Sequence, residues 1–497
     1  MGSNVERDEF TASEARLFDE RLQTSLTVLQ ELLRQPGFGS GELSLGAELE
    51  TYIADGDGHV LSINQQIMED LQDTQMKPEL NRFNIEYNLT PLPLPGQPLH
   101  ALEQQLLQAI ARLQEGAAAH QGRIISIGIL PTLLPDELGE HAMTDLPRYR
   151  ALEQSLRRLR GEEDFTVEIH GDDSIRVSSS HVVLEGANTS YQLHLRVEPE
   201  RYADTFNTLQ LVTPLVLAVA ANSPLFLQRR LWDETRIALF KQSVDCRMRG
   251  TGRWRQPSRV TFGEGWVRRS AWELFAEAVA LHPPIIPLNS DTPPEEWQPG
   301  TGPPALSELR MHMSTVWPWN RAVYDPAYGG HLRVEIRALP SGPTPCDMVA
   351  NSALILGLVL GLRDEVNELL SAIPFRYAEY NFYRAAQSGL DARLLWPHRK
   401  HHRMVELPVV ELLETLLPYA RSGLRSAGVA GADCDPYLAI IRDRLAARTN
   451  GACWQRRVLE RLEQRGASRY DACRLMLRHY CEAAASNRPV ASWPTEV

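Results

Sequence analysis

The chain has 497 residues and a formal net charge of -12, and that acidic balance argues against a general nucleic-acid binder, which needs basic surface to displace counterions from phosphate. Its composition, 43% hydrophobic and 23% charged, is that of an ordinary folded protein, long enough for two or three domains or for one large unit with a helical appendage. Cys246, Cys346, Cys434, Cys453, Cys473 and Cys481 show no paired spacing, the first ten residues have no apolar core for a signal peptide, and the most apolar runs, 209–221 and 355–362, fall short of the roughly 20 residues of a membrane span. A cytoplasmic protein with buried apolar helices is the expectation.

Residues 11–34 carry Leu17, Leu22, Leu26, Leu29 and Leu33 among charges, a helix pattern stopped by Pro36-Gly37-Phe38-Gly39. A strand follows over 44–53. Residues 63–75 predict a helix, and Lys77-Pro78-Glu79 then leaves Glu79 just ahead of a second strand over 83–90. A proline-rich turn at 91–98 leads into a helix over 99–119 with Leu102, Leu106, Ile110 and Leu113 on one face. Residues 124–130 form an apolar strand, 136–163 mix loop and helix, and 166–179 turn back at Gly171-Asp172-Asp173 as a hairpin. A strand over 191–197 precedes a long apolar helix over 202–222, and 225–236 reads as continuous helix.

The stretch 247–269 has a different texture. Arg249, Arg253, Arg255, Arg259, Arg268 and Arg269 alternate with Gly250, Gly252, Gly263 and Gly265, a basic, mobile composition suited to closing over phosphates. A second loop over 282–304 is rich in proline. The strand over 331–338 precedes a second apolar helix over 347–370, expected with the first behind the sheet. Past about residue 391 the pattern is helical to the end, with breaks near 423–435 and at Asn450-Gly451.

Four strands share one grammar at the two-residue period. Leu45, Ala47, Leu49, Thr51 and Ile53 oppose Ser44, Gly46, Glu48, Glu50 and Tyr52; Phe83, Ile85, Tyr87 and Leu89 oppose Asn84, Glu86, Asn88 and Thr90. Tyr191, Leu193, Leu195 and Val197 oppose Gln192, His194 and Arg196, and Leu332, Val334, Ile336 and Ala338 oppose His331, Arg333, Glu335 and Arg337. In one sheet with one face on the core, the polar sides gather Glu48, Glu50, Glu86, Glu335 and His194 beside Arg337. Like charges on one strand face repel, so the pattern makes sense around a cation. Carboxylates with a single His suit Mg²⁺ or Mn²⁺ better than structural zinc.

The order of these pieces resembles the glutamate-cysteine ligase family, in its bacterial branch of carboxylate-amine ligases, related in fold to glutamine synthetase. The matching pieces are Gly46-x-Glu48-x-Glu50; Glu79 and Glu86 followed by Leu89-Thr90-Pro91; the His194 strand; Ala221-Asn222-Ser223-Pro224; Trp317-x-x-x-Arg321; Glu335-Ile336-Arg337; and Asn381-x-x-x-Ala385 running to Gly389-Leu390. The resemblance implies an α+β fold: a curved antiparallel sheet of about six strands with a metal-binding polar face, helices packed behind it and a helical C-terminal segment. Residues 1–390 would form the glutamine synthetase-like catalytic domain, and 391–497 the helical segment packed on it.

It further implies an ATP-dependent ligase that joins the side-chain carboxylate of glutamate to an amine, that of cysteine, through an acyl phosphate. Glu50, Glu79 and Glu86 would hold one magnesium ion, and Glu48, His194 and Glu335 a second. Arg337 and Arg321 would contact the transferring phosphoryl group or a substrate carboxylate, and Arg253, Arg255 and Lys241 are the candidates for the nucleotide. The expected partners are ATP and amino acids, with neither nucleic acid nor membrane; homo-oligomerisation stays open.

Competing readings are a metal-dependent amidohydrolase on the same sheet, and an inactive nucleotide- or amino-acid-binding partner. The run His398-Arg399-Lys400-His401-His402-Arg403 reads as a solvated loop. Cys473, His479 and Cys481 have no metal-site spacing, and Ser178-Ser179-Ser180-His181 lacks a nucleophile's strand-turn-helix context. Trp317 and Trp319 read as packing, with one of them free to floor a pocket.

Overall fold

A computed structural model describes residues 5–161, 163–247, 256–398 and 403–496. Its centre is a curled antiparallel sheet whose strands run, from one edge to the other, Asn320–Asp325, His331–Ile336, Tyr191–Val197, Ser44–Ala54, Asn84–Asn88 and Met76–Pro78. Two short strands, Leu92–Pro93 and Arg123–Ile125, pair with the two ends of the central Ser44–Ala54 strand.

Alternation dictates this arrangement. Leu45, Leu49, Ile85, Leu193, Leu195, Leu332, Val334 and Ile336 are all buried on one side, where each fully buried aliphatic side chain is worth about 1.5–3 kcal/mol. They meet the helices Tyr202–Ala220 and Pro345–Leu362, apolar all round as helices inside a core must be. Both have the length and hydropathy to cross a membrane, yet their most apolar windows are 89% and 94% buried within the protein. The second expected helix is cut at Leu362, and Val366–Ala372 continues as a separate one.

Beyond the polar stretch, the other side of the sheet is not open to solvent. Tyr52, expected on the polar side, stacks on Phe83 with ring centroids 6.0 Å apart and belongs to a second apolar cluster with Ile127, Trp454 and Tyr480. The polar residues thus occupy a window between two cores.

The C-terminal segment is bound into the same core. Helix Val409–Ser426 crosses Pro345–Leu362 so closely that a Cβ on Gly361 would lie 2.2 Å from the carbonyl oxygen of Tyr419, and one on Gly423 2.2 Å from that of Gly357. Arg444, 1% exposed, donates to Asp347 at 2.8 Å and to Asn351 at 2.6 Å. Tyr480 receives a bond from Asn222 at 2.9 Å and donates to Ser126 O at 2.8 Å.

Two expectations need correction. Residues 225–236 are not a continuous helix: Leu225–Phe226 pairs with Arg229–Arg230 across a turn with Leu227 at φ 45° and Gln228 at φ 63°, and the helix starts only at Arg236. The backbone N–H of Arg230 donates to Asp173 at 2.8 Å, a tertiary bond that local helix propensity cannot anticipate. Nor is the chain helical throughout past 391, for Arg393–His398 and Arg403–Pro408 form an antiparallel hairpin. Pro397 cannot donate within a helix, and Asn381 fixes the hairpin by bonding both backbone groups of Leu395, at 2.8 and 2.7 Å.

Candidate active site

Strand register assembles the polar window row by row. Glu50 lies directly opposite Glu86, which in turn faces Lys77; Glu48 lies between Gln192 and Asn88; and Arg321, Glu335, His194 and Gly46 form a continuous cross-strand row. A Cβ on Gly46 would sit 3.4 Å from the Cβ of His194, in van der Waals contact.

Glu50, Glu79 and Glu86 converge until one oxygen from each lies within 4.8 Å of the others. Glu79 enters from the turn after Met76–Pro78. Burial and then the charges of Glu50 and Glu86 push the Glu79 carboxyl well above its usual range; burial followed by Glu48 pushes Glu86 up to about 7. Burial also raises Glu50 against the pull of Arg337 and Arg236. Ser190 N and the Gln192 amide, each at 2.6 Å, orient Glu50 without neutralising it. A buried excess of negative oxygen, with none of the three forming an ion pair among the described residues, fits a hard divalent ion.

Glu48, His194 and Glu335 are neighbours of a different kind. Nε2 of His194 lies 2.9 Å from Glu48 Oε1, out of line for a hydrogen bond, while Nε of Arg333 donates to His194 Nδ1 at 3.1 Å. Glu335 is fully buried and taken by two guanidinium groups: Arg321 donates at 2.6, 2.8 and 2.9 Å, and Arg337 also bonds it. Although burial alone would raise it, Arg321 and Arg337 hold the Glu335 carboxyl well below the usual carboxylate range. Burial likewise opposes ionisation of Glu48, and the adjacent His194 outweighs it. Among the described residues this second set does not draw together as the first does.

A cavity of about 420 Å³ opens on the window. Glu48, Glu50, Glu79, Glu86, Arg321 and Arg337 line it, and Arg148, Tyr149 and Glu185 stand on a further wall. Trp317 lines it as well, whereas Trp319 is 1% exposed and packs on Phe240 and Phe382.

Of the expected nucleotide residues, Lys241 is the one among the described residues, and it does not line the cavity. The Lys241 ammonium bonds the Tyr383 hydroxyl and lies 4.8 Å from that ring's centroid, away from the cavity lining. Arg253 and Arg255 lie outside the described residues, as do 248–255 of the expected lid and 399–402 of the basic run. The rest of that loop is anchored: Arg259, 2% exposed, donates to Thr315 O at 3.1 Å and to Pro283 O, and Phe262 stacks on Phe382 at 4.7 Å.

Gln192 and Arg333 went unassigned although the two-residue period already put them on the polar side, each two positions from a chosen residue. For Arg148, Glu185 and Arg236 no local signal exists. Arg236 pairs with Glu234 at 3.0 Å behind Glu50, and only the fold brings the helix Pro147–Arg160 to the cavity.

Residues 44–260 match the family model of glutamate-cysteine ligase family 2 (GCS2). The resemblance read from the motifs is shown over this stretch, which contains Glu48, Glu50, Glu79, Glu86 and His194 and stops short of Arg321, Glu335 and Arg337. Among solved structures, glutamate–cysteine ligase from Francisella tularensis in complex with AMP superposes with a TM-score of 0.50 at 10% identity, over 90% of each chain, and shares the fold. A bifunctional glutathione synthetase from Pasteurella multocida gives a TM-score of 0.45 at 11% identity, over 95% of this chain and 55% of that one. The ligase PafA in complex with the ubiquitin-like protein Pup gives 0.39 at 10% identity, over 86% and 69%. Curated protein sequences yield no significant match.

Proposed function

We propose that the protein is an ATP- and Mg²⁺-dependent carboxylate-amine ligase that joins the side-chain carboxylate of glutamate to the amine of cysteine. Support comes from the GCS2 match and, above all, from the convergence of Glu50, Glu79 and Glu86 beside a Glu335 held between Arg321 and Arg337. Phosphoryl transfer asks a protein chiefly for position and for charge neutralisation, and this window offers both.

Glu50, Glu79 and Glu86 would hold a magnesium ion, which supplies charge neutralisation on the phosphates when bound. Ser190 and Gln192 fix the direction of Glu50, so that ligand needs little reordering. Glu335 holds both guanidinium groups in the cavity lining, where Arg337 and Arg321 would meet the phosphoryl oxygens as the donor carboxylate displaces ADP from the terminal phosphoryl group of ATP. The resulting acyl phosphate is captured by the acceptor amine, releasing phosphate.

The test is release of ADP and phosphate from protein supplied with ATP, Mg²⁺, glutamate and cysteine, dependent on the acceptor. Turnover without ATP, or full turnover by Glu79→Gln and Glu86→Gln, would refute the assignment.

A further inference from the structure

Arg148 is a cavity-lining cation whose Nη1 has no hydrogen-bond partner among the described residues. It is the second residue of the helix Pro147–Arg160. Its Nη2 donates to Ser314 Oγ at 3.1 Å, while its Nη1 is buried with no hydrogen-bond partner among the described residues. No carboxylate among them forms an ion pair with it, unlike Arg321 and Arg337. A guanidinium taken out of water with an unpaired N–H loses solvation that no hydrogen bond from the described residues returns; burial lowers its pKa, against the opposing pull of Tyr149 and Glu79. The flat fork matches a carboxylate, and such a site is held ready at a cost that a ligand recovers.

The neighbouring wall narrows the ligand class. Pro147, Leu152 and Val182 are apolar, the Tyr149 hydroxyl is already engaged by Pro78 O at 2.8 Å, and the acids whose charge reaches Arg148 and Tyr149 include Glu79 and Glu185. An unpaired fork among acids suits the two ends of a zwitterion. A triphosphate would meet one unpaired cation among repelling acids there, and its charge is better served by Arg321 and Arg337, which line the same cavity together.

We propose that Arg148 binds the α-carboxylate of an amino-acid substrate and so makes that carboxylate a requirement of the site. The substrate class rests on the ligase reading above; the unsatisfied fork does not.

The experiment compares matched probes that carry or lack the carboxylate: L-glutamate against its α-amide as donor, and L-cysteine against cysteamine as acceptor. Wild type is expected to prefer the carboxylate-bearing member of one pair by about 100-fold in kcat/KM. Arg148→Met removes that preference through KM, leaves the KM for ATP within about threefold, and Arg148→Lys falls between. Which pair responds identifies the substrate. Should wild type release no ADP with any pair, the ligase reading fails, and calorimetric titration of the same probes without ATP still decides: discrimination lost in Arg148→Met supports the proposal. Equal treatment of both members of each pair by wild type, discrimination retained by Arg148→Met, or a rise confined to the KM for ATP would overturn it. Arg148→Lys keeps the charge and guards against reading a folding defect as a binding one.

Discussion

Nε of Arg333 points at Nδ1 of His194 from 3.1 Å. An arginine only donates, so Nδ1 is an acceptor and the proton of the neutral ring sits on Nε2, 2.9 Å from Glu48. In this arrangement the Nε2 proton lies beside Glu48 without a hydrogen bond to it, and ligation of a metal through Nε2 requires that proton to leave and Arg333 to withdraw.

Histidine-resolved ¹⁵N spectra of the metal-free protein are therefore expected to show the Nε2–H tautomer for His194, and Arg333→Met to admit the other tautomer. A wild-type spectrum of the Nδ1–H form would dismiss the Arg333 contact as its determinant.

The carboxylate trio carries a cost in the absence of a cation. Glu79→Gln and Glu86→Gln should each raise the melting temperature of the metal-free protein, because each removes a buried repulsion. Each should also weaken Mg²⁺ binding by about 10–100-fold or more, taking loss of an outer-shell group as the lower bound. Thermal melts with and without Mg²⁺ measure both effects; a melting point lowered in the metal-free state would contradict the first.

The same cluster sets a pH dependence. Burial and then Glu48 raise Glu86 from 4.5 to about 7, and burial followed by Glu50 and Glu86 raises Glu79 as well. Between pH 4.5 and 7 the native state holds more protons than the unfolded one, so stability from these groups is complete below 4.5 and is lost as pH climbs through 7. Metal-free protein should melt lower at pH 8 than at pH 6, with a stabilisation by added Mg²⁺ that grows over the same interval, since binding displaces those protons. A Mg²⁺ increment independent of pH would rule this out.

Glu335 is expected to behave in the opposite sense. Removing its charge in Glu335→Gln leaves Arg321 and Arg337 desolvated without a counter-ion, at a cost of about 3–5 kcal/mol, together with loss of ligase turnover. Urea denaturation measures the first term. Stability unchanged within error would mean that solvent already screens both guanidinium groups.

Behind the sheet, Arg444 ties the C-terminal segment to Asp347 with both partners buried. Arg444→Met should lose about 3–5 kcal/mol in urea denaturation, with Arg444→Met/Asp347→Leu less destabilised than the single change. If the double variant loses as much as Arg444→Met and Asp347→Leu added together, the pair contributes no coupling.

How far local pattern reaches is plain from particular strands. Period-two alternation was enough to place Leu45, Leu193 and Val334 on a core and Glu48, Glu50, Glu86, His194 and Glu335 on one polar side, because a pleated strand converts spacing directly into direction. It failed at Tyr52, where alternation continues but a second apolar cluster, delivered from residues 125–142 and 454–493, covers that end. It failed also at 225–236 and at 393–408, where bonds from Asp173 and Asn381 override local preference.

What the order of residues determined by itself was the sheet, its polar face and the charge crowded there. Which acids meet was decided only in three dimensions: Glu79 joins Glu50 and Glu86, while Glu335 is claimed by Arg321 and Arg337. The arrival of Arg148 across the cavity is likewise a tertiary fact. Strand periodicity fixes the direction of a side chain, but its electrostatic partner comes from whichever distant segment the core packing brings alongside.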